Sequence, residues 1–124
     1  MSQVRSARGA AARLCGRRGE ARAAAWLMLK GYRILGFRLA TPMAKIDLLA
    51  LRGKLLSVVE VQQRRTLEEA LEAVRTDQRE RLRRAGAHIA AMRPALSNVA
   101  VRLDLIALAP GRAPRHIPDA WAGA

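Results

Sequence analysis

The sequence predicts one α/β domain in which a helix, three strands, helices and a last strand follow one another. Three observations carry this. Residues 45–62 hold two apolar runs of strand length around a short polar turn, the pattern of a β-hairpin. Stretches with apolar residues at helical spacing lie on both sides of that hairpin. A β-rich run from Asn98 to Leu108 follows the last helical stretch and reads as a central strand. With 124 residues the chain can bury a real core, and a hydrophobic content of 51% is too high for a disordered chain.

Residues 1 to 18 contain five Arg and no acid. They lack the apolar segment of a secretory signal. A transit peptide shares this composition, but a flexible basic arm over 1–15 is the better expectation, with a single domain over 16–124. The first helix is expected from Gly16 to Leu29, with Ala21, Ala24, Ala25 and Met28 as a narrow apolar stripe. Glu20 falls in its first turn, beside that stripe, with Ala24 and Leu27 below it on the same side; an acid there also suits the helix dipole. Gly31 ends the helix. Tyr32 to Leu39 reads as a strand closed by Thr41-Pro42, and the hairpin comes next. Thr66-Leu67-Glu68-Glu69 has the form of a capping box opening a short helix through Val74. Thr76 is placed to cap a second helix reaching Arg93, with Leu82, Ala85, Ile89 and Met92 as its apolar face. Pro110-Gly111 and Pro114 interrupt the last strand, leaving Arg115 to Trp121 as an edge strand or tail.

Each run of the hairpin carries one carboxylate, Asp47 in the first and Glu60 in the second. Gly53-Lys54 fits a two-residue type II′ turn with Gly at the first central position. That register pairs Arg52 with Leu55, hence Asp47 with Glu60 and Lys45 with Gln62; a four-residue loop would shift the partners by two and leave the faces unchanged. Two like charges face to face repel, and a divalent cation between them is the economical remedy. The plainer alternative is two exposed strand acids brought together by coincidence.

Formal net charge is +13, and 20 of the 23 basic residues are Arg. Such a domain favours a polyanionic partner, because the guanidinium fork donates bidentately to phosphate. Arg17, Arg18, Arg64 and Arg65 flank the two acids in sequence or expected structure. No apolar run reaches the roughly 18 residues of a membrane span. An anionic membrane surface is a weaker option because no helix combines a Lys/Arg face with a Trp/Phe/Leu face, so no membrane partner is expected. Cys15 is the only cysteine, which excludes disulfide frameworks and multi-Cys zinc sites and fits a reducing cytoplasm. No phosphate loop, dinucleotide fingerprint or Gly-x-Ser-x-Gly elbow is present. His88 and His116 stand alone and receive no role. Asp104 shares its strand face with Arg102 and reads as a local ion pair.

The series Gly16-x-x-Gly19-Glu20, Gly31-Tyr32, Ile46-Asp47-Leu48, Val59-Glu60-Val61, Thr76-x-Gln78 and Arg102-Leu103-Asp104 resembles the YraN-like family of bacterial proteins. That family is placed in the PD-(D/E)XK nuclease superfamily, near archaeal Holliday-junction resolvases. The resemblance runs from about residue 13 to Trp121. It implies a restriction-endonuclease-like αβββαβ core, a mixed central sheet flanked by helices, with structure-selective endonuclease activity and Mg2+ or Mn2+ as cofactor. It makes Glu20 the helix acid, Asp47 the strand acid and Glu60 the first member of the Glu-x-Lys motif. The chain departs from the pattern twice. Lys45 stands where the family has Glu, and Gln62 stands where it has the catalytic Lys. If Lys45 faces Gln62, it can supply the missing ammonium from across the hairpin. On this basis Asp47 and Glu60 hold the cation and Glu20 completes its shell. Gln62 orients water, Lys45 offsets charge on the phosphorane, and Gln78 touches a backbone phosphate or simply sits in its helix's first turn. The resemblance favours branched or flapped DNA over RNA as partner, and homodimers occur among superfamily resolvases. A catalytically degenerate module that binds nucleic acid without cutting is the competing reading. A protein docking on RNA or a ribonucleoprotein is a weaker third.

Overall fold

The computed structural model describes residues 17–122; the basic arm expected over 1–15 and the helix start at Gly16 lie outside them. Helix α1 covers residues 17–29. It stops because Gly31 takes φ 89°, a left-handed value that costs a residue without Cβ little. Gly31 N–H then donates to the Met28 carbonyl and Tyr32 N–H to the Leu27 carbonyl, both at 3.0 Å, a Schellman closure. Strand β1 (Arg33–Ala40) follows, then β2 (Lys45–Arg52) and β3 (Leu55–Gln63). The turn between β2 and β3 has Gly53 at φ 61°, with no positive φ at Lys54, as the type II′ turn requires. Helix α2 (Leu67–Glu72) opens on Thr66, whose Oγ1 accepts the Glu69 N–H at 3.1 Å. Helix α3 (Thr76–Met92) leads through a 3-10 turn (Pro94–Leu96) into β4 (Ala100–Leu108) and a three-residue β5 (Arg115–Ile117).

The five strands form one mixed sheet in the order β1-β2-β3-β4-β5. Every neighbouring pair is antiparallel except β3 and β4, which run parallel, and α2 with α3 makes the crossover that a parallel pair needs. The fold is therefore mixed α/β, with three helices around a five-stranded mixed sheet. On one face Ala23, Ala24 and Leu27 of α1 pack with Leu48, Ala50, Val59 and Ile106. On the other, Leu82, Ala85 and Ile89 of α3 pack with Leu49, Leu56, Val58 and Leu103. Helix α3 lies close because of Gly86, where a Cβ would overlap Val58 Cγ2 and sit 2.9 Å from Val101 Cγ1.

Three expectations need correction. The buried face of α1 is Gly19, Ala23, Ala24 and Leu27, while Ala21 and Ala25 are exposed and Met28 is 61% exposed. An Ala-rich tract marks no face by itself, and the bulkier Leu27 decides which side turns inward. Met92, the last residue of α3, is 69% exposed, and Leu96 of the following turn joins the core instead. The N-cap of α3 is Arg75 rather than Thr76, without a side-chain cap. No helix among the described residues is long and apolar enough to cross a membrane.

Candidate functional site

The hairpin has the predicted register. Arg52 pairs with Leu55, and the ladder continues in step to Leu48 opposite Val59, so the next step outward brings Asp47 beside Glu60. There the ladder ends. Asp47 Oδ2 accepts the Val61 N–H at 3.0 Å, so a side chain satisfies a backbone donor that a ladder partner would otherwise hold. The strict alternation of sides lapses at the same place, because Ile46 belongs to the α3-side core and Leu48 to the α1-side core. The two strands thus part where the acids sit.

Glu60 is 6% exposed. Its burial, reinforced by the charge of Asp47 and a hydrogen bond with it, pushes its carboxyl up to about 9. The Gln62 amide donates to Glu60 Oε1 at 3.3 Å and pulls weakly the other way. At neutral pH Glu60 therefore keeps its proton, as expected of a desolvated carboxyl beside a like charge.

Glu20 comes from α1 and shares one cavity with Asp47, while Glu60, between Val59 and Val61 of the α1-side core, is not among that cavity's lining residues. Arg38 grips Glu20, with Nε 3.0 Å from both Oε1 and Oε2. Arg38 holds φ 51° within β1, a left-handed value that costs a residue with a Cβ roughly 1–3 kcal/mol. Gly19 lets α1 approach, since a Cβ there would lie 2.7 Å from Gln63 Nε2. A cavity of about 220 Å³ results, lined by Gly19, Glu20, Asp47, Val61, Gln62, Gln63 and Arg64.

Residues 19–108 of this chain match the model of the Uncharacterised protein family UPF0102. The chain belongs to UPF0102. The UPF0102 protein of Caulobacter vibrioides is 69% identical over 121 residues, covering 98% of this chain and 97% of the relative. That of Caulobacter sp. strain K31 is 69% identical over 117 residues, or 94% and 84% of the two chains. The UPF0102 protein of Paramagnetospirillum magneticum is 46% identical over 115 residues, or 90% and 89%. The UPF0102 match contains Glu20, Asp47, Glu60 and Gln62, and ends with β4.

The residues singled out in sequence do not all meet in this UPF0102 member. Asp47 and Glu60 come together, and Glu20, Gln62 and Arg64 join Asp47 around the cavity. Among the described residues, however, no three His, Cys, Asp or Glu side chains converge as a ligand set. The expected three-acid shell is a two-acid pair with Glu20 held apart by Arg38. Lys45 is exposed, pairs with Ala40 of β1, and does not line the cavity. The ladder stops before Lys45 could pair with Gln62, because Asp47 has taken the Val61 N–H. Arg17 and Arg18 are exposed at the described start of α1 and Arg65 just past β3; none lines this cavity. Gln78 is half-buried in the first turn of α3, on the helix that covers the opposite face from α1.

Asp104 carries more than the local pair expected of it. It is fully buried and accepts from Ser57 Oγ at 2.6 Å, Arg102 Nε and Nη2 at 2.7 Å each, and Asp119 N–H at 3.0 Å. His116 Nε2 lies 2.8 Å away, and Lys30 Nζ lies 2.8 Å from His116 Nδ1. An ammonium can only donate, so Nδ1 accepts and Nε2 carries the proton given to Asp104. Burial raises the Asp104 carboxyl, but Arg102, His116, Ser57 and the Asp119 N–H together outweigh it and hold the group well below the usual carboxylate range. Sequence reasoning left His116 without a role. The available signal was Ser57 and Asp104 inside two apolar strand runs, since buried polar groups demand partners. Arg38 left no such signal.

Proposed function

We propose that this UPF0102 chain is a metal-dependent endonuclease acting on branched or otherwise structured DNA, with the site organisation of the PD-(D/E)XK nucleases. The observation that carries the reading is the contact of Asp47 and Glu60 where β2 and β3 part, beside a cavity walled by Glu20 and Arg64. The donor set fits a hard divalent cation. Mg2+ is commonly held by one or two carboxylates together with substrate phosphates, so the pair suffices without Glu20. When bound, Mg2+ or Mn2+ would supply Lewis-acid polarisation of a phosphoryl oxygen and positive charge that favours the ionised form of Glu60 against its burial and the charge of Asp47. The remaining work falls to the chain. Asp47 and Glu60 hold the ion, and Asp47 is itself fixed by the Val61 N–H. Gln62 presents an amide at the cavity wall, where it can orient a water. Arg64 faces the cavity as a phosphate contact, and Arg38 positions Glu20.

A second reading is favoured by one observation. Gln62 stands in the position of the catalytic Lys, and exposed Lys45 is paired with β1 instead of facing it. Losing such a charge stabiliser typically costs about 10²- to 10³-fold in rate, which leaves a nuclease fold that binds and does not cut.

The deciding assay is cleavage of a four-way junction with Mn2+, using the wild type, Asp47→Asn, and the pair Lys45→Glu with Gln62→Lys. The nuclease reading expects the wild type to cut and Asp47→Asn to lose at least a hundredfold. It also expects Mn2+ to raise the melting temperature of the wild type and not of Asp47→Asn. Cutting by the double variant alone would hand the case to the binding-only reading.

A further inference from the structure

Two more cavities neighbour the acid-walled one and share Arg64 with it. The first, of about 310 Å³, shares Gln63 and Arg64 with it and adds Arg22, Arg65 and the backbone of Leu108 to Pro110. The second, of about 230 Å³, shares Arg64, Arg65, Leu108 and Ala109 with the first and adds Arg112 and Arg115. Together they form a groove over the end of β3 and the β4–β5 connection. Five guanidinium groups line it, and Glu68 is the single carboxylate among its lining residues.

The groove is braced. Arg22 Nη2 donates to the Arg112 carbonyl at 2.9 Å and ties α1 to the connection. Arg64 N–H donates to the Leu108 carbonyl at 3.0 Å, and Arg115 sits on β5 opposite Ala107. Among the described residues none of the five guanidiniums is in an ion pair, whereas Arg75, Arg81, Arg83 and Arg84 around α3 are matched by Asp77 and Glu80. Those four arginines share two carboxylates. Among the described residues the groove arginines have no carboxylate partner, and Arg22 and Arg64 donate to the backbone carbonyls of Arg112 and Gln63, which leaves their charge unneutralised.

We propose that this groove is a binding site for the sugar-phosphate backbone of one unpaired DNA strand, leading away from the Asp47–Glu60 pair; the proposal rests on the nuclease reading and names the arm of the substrate that it engages. The path through the two cavities bends over the sheet end, from Arg22 of α1 on one face to Glu68 of α2 on the other, and a flexible single strand follows such a bend where a duplex, stiff over about 150 bp, does not. No aromatic ring lines either cavity, so contact is to phosphate rather than by base stacking, and recognition is indifferent to sequence.

The test is equilibrium binding in EDTA, over a salt series, of a labelled Y-shaped DNA with two unpaired arms and a blunt duplex of matching sequence. The proteins are the wild type and Arg112→Ala with Arg115→Ala; both side chains are exposed, and melting curves verify the fold. Each neutralised phosphate contributes about 0.7 to the log–log salt slope for a single strand. The double variant should therefore lose about 1.4 from the slope with the Y-shaped DNA, and roughly tenfold or more in affinity near 0.1 M salt. Its affinity for the blunt duplex should change by less than about twofold. Equal losses on both DNAs, or no loss on either, would overturn the strand assignment. Because binding is read without metal, an inactive wild type in the junction assay removes the nuclease reading and leaves this result decisive for the groove.

Discussion

Glu60 and Asp104 are buried carboxyls shifted in opposite directions, and the two make opposite contributions to stability as pH changes. Glu60 binds its proton more tightly folded than unfolded. Its contribution is fully present below the ordinary Glu value near 4.5 and is lost as pH rises toward about 9. Asp104 binds its proton less tightly when folded, so its contribution is present above the ordinary Asp range and disappears as pH falls. Metal-free protein should therefore be most stable in mildly acidic solution. Urea titrations in EDTA between about pH 6 and 8 should show stability falling with pH, by at most roughly 1.4 kcal/mol per unit for one proton. Glu60→Gln should flatten that fall; an equal slope in the variant would show that the proton sits elsewhere. Asp104→Asn removes the charge that Arg102 and His116 converge on, and breaking a buried pair on one side costs about 3–5 kcal/mol. The same titration at neutral pH checks it, and a loss below about 1 kcal/mol would contradict the network described.

At the scale of elements, the closest approach is α3 onto β3 and β4. Gly86→Ala must push Val58 and Val101 apart. Overpacking costs about 1–3 kcal/mol, and the gain in helix propensity returns up to roughly 1. A net loss of about 1–2 kcal/mol in urea unfolding is expected, and a stabilised variant would show that the helix can lift freely. Elements also differed in how far sequence revealed them. The β2–β3 register was legible because Gly53-Lys54 suits a two-residue turn better than the four-residue loop that was its alternative, and each later pair follows from it. The face of α1 was not, since alanines pack on either side and only Leu27 breaks the tie. The expected Lys45–Gln62 contact failed for a reason no periodicity contains, a carboxylate replacing a ladder partner at Val61. Likewise, the Asp104–His116 contact joins two strands across the β4–β5 connection, and neither residue announces the other.

For the whole molecule, an excess of thirteen positive charges is distributed unevenly: among the described residues Arg81, Arg83 and Arg84 of α3 are in ion pairs and the groove arginines are in none. Affinity for a junction DNA should consequently fall steeply between low and moderate salt. Fluorescence anisotropy over that range gives the slope, and a flat response would mean that the charge serves solubility alone. The sheet order also fixes an order of events in time. β1, β2 and β3 are joined by tight turns, while β4 reaches β3 only after the chain has passed through α2 and α3. Loop-closure cost favours the local meander as the folding nucleus. The two acids meet inside that meander, so the Asp47 share of Glu60's raised proton affinity arises early, while the burial that is its larger cause waits for β4. In stopped-flow chevrons, we predict, raising the pH will slow refolding through the early contact and speed unfolding through the later burial. A pH effect confined to the unfolding limb would mean that the acids close last.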